Sequence, residues 1–142
     1  MGDLKTIILT QIIVILTTMK WFFLSAFSGI STGLSVVLFL TLLNSGTEYV
    51  TSYNYYFLFL PFALFLSILI IEKIAPEAEG QGTEKVIESI REYNGKMDVK
   101  VFPVKLIATL ITLIFGGSAG KVGPSAQIGA SFSIIISKFI KF

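Results

Sequence analysis

The chemistry open to this chain lies in its backbone more than in its side chains. None of its 142 residues is cysteine or histidine, which excludes disulfides, thiolate or imidazole metal sites, and His-assisted Ser or Cys nucleophiles. Carboxylates remain, but all nine except Asp3 and Glu48 fall between Glu72 and Asp98, the pattern of a solvated connecting face. What stands out instead is glycine. Residues 116–130 read GGSAGKVGPSAQIGA inside an apolar sequence, and a shorter Gly80-Gln81-Gly82 precedes a helix-forming run. Pro124 suits the first turn of a helix, where its missing N–H has no intrahelical partner anyway. The N–H groups of Lys121, Val122 and Gly123 are then left without acceptors. At membrane depth each such orphan donor costs several kcal/mol, and an anion is the natural acceptor at the positive end of a helix dipole. Gly80-Gln81-Gly82 repeats the arrangement, so two helix starts can aim at one point.

Two other readings of the glycine stretch compete. A phosphate-cradling loop needs G-x-x-x-x-G-K-[ST], and here Phe115 holds the first glycine position and Val122 follows Lys121, so that pattern fails at two fixed points. A tight turn between packed membrane helices, with Gly116 and Gly120 permitting close contact, fits the spacing as well as an anion site does.

The elements that must position these residues are those of an all-α polytopic membrane protein. Hydrophobic residues make up 54% of the chain against 14% charged, and the mean hydropathy is +0.82. The net charge of +2, with no basic stripe interleaved with aromatics, gives no reason to expect nucleic acid. A span needs about 20 apolar residues. Residues 21–43 and 54–71 qualify, the first with a small-residue ridge at Ser25, Gly29 and Gly33, the second with Pro61 and a flanking belt of Tyr53, Tyr55 and Tyr56. Residues 1–20 predict an interfacial helix or an extension of the first span, with Thr10, Gln11, Thr17 and Thr18 in one polar stripe between Lys5 and Lys20. The polar stretch that follows holds a short helix over 83–93, stopped by Asn94-Gly95, whose apolar face (Val86, Ile87, Ile90, Tyr93) calls for a docking surface. Two broken, incomplete crossings are expected over 104–115 and 124–141, tolerable in a bilayer only where protein or water satisfies the exposed backbone.

Lysine and arginine set the expected orientation. Residues 44–53 carry none, whereas 72–105 carry Lys73, Lys85, Arg91, Lys96, Lys100 and Lys105, so that loop and the N-terminus are expected in the cytoplasm of a multi-pass protein of the cell membrane. Lys138 and Lys141 fall on the same side, and Lys121 alone falls on the far side.

GGSAGKVGPSAQIGA resembles the G-[KR]-E-G-P signature of the CLC family of chloride channels and chloride/proton antiporters. APEAEGQGTEKVIESI, residues 75–90, is similar to that family's earlier anion-coordinating segment, commonly G-S-G-I-P or G-H-G before a short helix. GKMDVKVFPVKLIATLITLIFGGSAG continues in the family's order, so the likeness runs over about residues 20–142. The resemblance implies a fold of tilted and broken helices, here a partial first inverted repeat, and an anion pathway lined by backbone amides. It places Gly80, Gln81 and Gly82 at the inner and central anion positions, where serine commonly holds the place of Gln81; the glutamine amide can still donate, and its bulk narrows the path. It places Lys121, Val122 and Gly123 at the outer anion position. The family's gating glutamate belongs where Val122 stands, and valine neither ionises nor carries a proton. The implied activity is therefore channel-like conduction of chloride or another small anion without proton coupling, as in family channels that also carry valine there. No enzyme activity, cofactor or metal is expected. Because the likeness spans only part of one repeat, the chain is expected to be inactive alone and to need a complementary chain, the alternative being a truncated, non-conducting remnant or interaction fragment.

Overall fold

The computed structural model describes residues 2–140, with side chains described from Ile8 to Lys138. The regular structure among the described residues is all helix, without strands. Helix α1 covers Gly2–Thr51, a 3-10 turn Tyr56–Phe59 leads into α2 (Leu60–Ile74), and a second turn, Pro76–Ala78, precedes α3 (Gly82–Glu92). Helices α4 (Val101–Ile114) and α5 (Val122–Ile140) complete the set. Two stretches, Ile8–Thr51 and Tyr56–Ile74, are long and apolar enough to cross a membrane, and α4 is a shorter apolar helix. The expected end of the last helix at residue 141, and Lys141 with it, lie outside the described residues.

The chain divides into two units, Met1–Ile30 and Ser31–Phe142. Within the first, the consecutive residues Ile12 to Leu16 are all exposed, as are Trp21, Phe22 and Phe23, so the helix is apolar on every side. Such a helix suits lipid rather than water. Two of its hydroxyls are satisfied within the helix: Thr18 donates to Val14 O at 2.8 Å and Ser25 to Phe22 O at 2.9 Å.

In the second unit α4 is the central element, packed against α2 on one side and α5 on the other. Two apolar clusters result. Ala75, Ala78, Met97, Val101 and Val104 form one, and Phe39, Leu43 and Ile128 form the other, with Leu106 and Leu110 of α4 against it. At Gly129 α5 closes on α1, where a Cβ would come within 2.6 Å of Thr32 Cγ2.

Several expected boundaries move, each for a local reason. The first span does not stop at residue 43, and no break separates it from residues 2–20; Thr47 donates to Leu43 O and Thr51 to Thr47 O, satisfying hydroxyls within the helix that otherwise favour a turn. The second, expected over 54–71, is a 3-10 turn followed by α2, with Pro61 in the first turn, and it runs on to Ile74. Helix α3 starts at Gly82 and ends at Glu92, where Asn94 (φ 53°) and Gly95 (φ 73°) turn left-handed and Gly95 N–H reaches Ser89 O at 2.8 Å. Helix α4 starts at Val101 rather than 104, because Pro103 fits within a first turn and Val101 N–H reaches Asp98 O at 3.1 Å. Helix α5 starts at Val122, and Pro124 is its third residue rather than its first. The apolar face expected on α3 to be docked is turned outward, with Ile87, Ile90 and Tyr93 exposed; the helix packs on α5, where the buried Gly82 lets two backbones approach.

Candidate functional site

The two glycine segments meet. A Cβ on Gly82 would overlap the carbonyl oxygen of Gly123 and lie 2.7 Å from its carbonyl carbon, so the first residue of α3 touches the backbone of the second residue of α5. Neither helix start is capped from within. In α3 the first intrahelical bond runs from Lys85 N–H to Gln81 O at 3.2 Å and no side chain caps the end, which leaves the amides of Gly82, Thr83 and Glu84 without acceptors among the described residues. In α5 the first bond runs from Ser125 N–H to Lys121 O at 3.1 Å, and Pro124 has no N–H, so Lys121, Val122 and Gly123 keep free amides. Two positive dipole ends thus lie side by side.

Beside them opens a cleft of about 460 Å³. Gly80, Gln81 and Gly82 line it from one segment and Gly123 and Pro124 from the other, with Lys105 and Thr109 of α4 as a third wall. The structure therefore brings five of the residues singled out in the sequence to one place. Lys121 and Val122 are not among the lining residues; both are exposed, Val122 at 80%, and their side chains stand outside the cleft beside the α5 start.

Lys105 is the residue that counting lysines misplaces. It is only 6% exposed, on the second turn of α4, and its Nζ donates to Ala78 O at 2.8 Å and Gly80 O at 2.9 Å. Its ammonium thus holds the segment that carries Gly80 and Gln81, and because the two ends of a peptide plane point opposite ways, Gly80 O turned to Lys105 sends the Gln81 N–H the other way. Two of its three N–H donors are used, and the third remains for a ligand. The sequence did hold a signal: a lone lysine in the apolar run VKLIATLITLIF is a functional candidate before it is a topology marker. Further along α3, Lys85 pairs with Glu88 at 2.8 Å, and this hydrogen bond raises the lysine's pKa; the pair is solvent-accessible.

Among known proteins, the family described as "Voltage gated chloride channel" matches residues 62–142, more than half of the chain and including both glycine segments. The chain belongs to the voltage-gated chloride channel family. It is 25% identical over 114 residues to a chloride/fluoride channel protein of Pseudomonas syringae pv. tomato, covering 80% of this chain and 25% of that protein. It is 33% identical over 87 residues to the H(+)/Cl(-) exchange transporter ClcA of Salmonella arizonae, covering 56% of this chain and 18% of that one. The chain thus spans about a quarter or less of the length of these relatives. No solved structure matches with significance. Family membership and the apolar helices make this an all-α membrane protein, and the relatives it matches are named as a channel and an exchange transporter.

Proposed function

We propose that this chain forms one wall of a pathway for chloride or another small anion, with backbone amides at two helix starts as the ligands. The observation that carries the reading is the contact of Gly82 with Gly123, which sets two uncapped helix N-termini beside a cleft that also holds the buried Lys105 ammonium. A small anion needs several convergent donors and a positive field in a low-dielectric setting, and needs no acceptor. Gly80, Gln81 and Gly82 form the inner part of this wall, and Lys121, Val122 and Gly123 the outer part, with Lys121 adding positive potential at the mouth. Val122 occupies the gate position. Its side chain has no titratable group, so conduction is channel-like and not coupled to protons.

These walls leave the cleft open rather than closed into a pore, so a complementary chain carrying further helices supplies the rest, and this chain alone does not conduct. The protein sits in the cell membrane with its N-terminus and the 72–105 loop in the cytoplasm, an orientation that Lys73, Lys85, Arg91, Lys96 and Lys100 support without the buried Lys105.

Reconstituted alone in liposomes under a potassium gradient with valinomycin, the chain is expected to pass no chloride. Selective chloride efflux from the lone chain would contradict the half-site reading. In the complemented assembly, Val122→Glu is expected to slow conduction and make it pH-dependent, since a carboxylate there competes with the anion when ionised and withdraws when protonated. Current and pH dependence unchanged by that substitution would remove Val122 from the gate.

A further inference from the structure

Among the described residues one buried side-chain polar atom has no hydrogen-bond partner, Oε1 of Gln127. Gln127 lies on the second turn of α5 and is fully buried. Its Nε2 donates to Glu77 O at 3.1 Å, which fixes the orientation of the amide, because the reverse orientation would set two oxygens against each other. Its Cβ lies against Gly82, within 2.9 Å of where a Cβ there would stand. The side chain therefore reaches from Gly82 back to Glu77, along the segment that leads into α3. Oε1 is an acceptor without a donor, and Gly82, against which the Gln127 Cβ stands, opens a first turn of α3 whose amides are donors without an acceptor.

An anion cannot serve both, since it has no proton to give Oε1. A metal cation cannot serve both either, since it repels amide hydrogens. A water molecule does both, and buried polar groups of this kind are the usual anchors of internal water. We propose that Gln127 Oε1 and a first-turn amide of α3 hold one buried water, and that Gln127, which does not line the anion cleft, is through it a positioning residue for Gly80-Gln81-Gly82. Lys105 holds the carbonyls of Ala78 and Gly80 from α4; Gln127 holds that of Glu77 directly and the α3 start by way of the water. This inference stands on burial and donor count, and does not depend on anion conduction.

The test uses the full chain in nanodiscs with nitrogen-15 glutamine and backbone labels, reading magnetisation transfer from water. Long-lived water contacts are expected at the Gln127 side-chain amide protons and at one or more amides of Gly82, Thr83 and Glu84. The contact at the Gln127 side chain should persist when gluconate is replaced by chloride. Gln127→Met is expected to abolish the contact and to speed hydrogen exchange at Gly80–Thr83 by about tenfold or more, with exchange in α2 unchanged. Wild-type protein lacking the contact, a Gln127 contact displaced by chloride, or a contact retained in Gln127→Met would each overturn the proposal. The wild-type spectrum decides by itself if the Met variant does not fold.

Discussion

Gly82→Ala is expected to force α3 and α5 apart and to destabilise the fold by about 3 kcal/mol, at the upper end of overpacking costs. The new methyl would meet the carbonyl oxygen and carbon of Gly123 and the Cβ of Gln127, and two of these three atoms are backbone in a helix first turn, unable to swing aside. Gly123→Ala is the matched control. Although it adds a methyl at the same contact, its nearest neighbour is Gly82 N at 3.6 Å, ordinary van der Waals contact, so a loss under about 1 kcal/mol is expected. Gly80→Ala tests a different cost. Nothing lies within 4 Å of a Cβ there, but φ is +79°, and a non-glycine residue in that region costs about 1 kcal/mol. Thermal unfolding of the three variants in one detergent should rank them Gly82 far worst. Equal effects at Gly82 and Gly123 would mean that the two helix starts do not touch.

Lys105→Met is expected to loosen the Gly80 segment and cost about 2–4 kcal/mol, the range for leaving two charge-assisted acceptors unpaired. Methionine matches the length of the lysine stem, so cavity formation contributes little and the loss reports the hydrogen bonds to Ala78 O and Gly80 O. The same variant removes the cation beside the cleft, so anion affinity should fall with stability. Retention of both would show that Lys105 is a passenger.

Much of this was legible in the residues, and what was not has physical causes. Asn94-Gly95 announces the end of α3 because both residues tolerate a left-handed backbone, and both adopt it. The glycines around Gly82 and Gly123 announce close approach, and the two segments do touch. Residues 44–53, by contrast, read as the connection between the two spans, yet α1 runs on to Thr51 because nearby threonine hydroxyls satisfy themselves on helix carbonyls. Pro124 reads as the first residue of α5 because proline fits there, but it fits equally at the third position, where it too forfeits no intrahelical bond. The face of α3 follows a rule for soluble helices, apolar side inward, that fails where packing is through small residues. Lys105 illustrates the largest gap: counting charges near span ends treats every lysine as solvated, and only three-dimensional packing reveals one turned onto backbone carbonyls.

The central claim is that the amides of the two helix starts bind a small anion together. Chloride titration of the nitrogen-15-labelled chain in nanodiscs, against gluconate at constant ionic strength, tests it most directly. Saturable shifts are expected at the amides of Gly82, Val122 and Gly123 with one shared dissociation constant, weakened in Lys105→Met. Shifts absent at those amides, or confined to residues around exposed lysines such as Lys73 and Lys96, would contradict it.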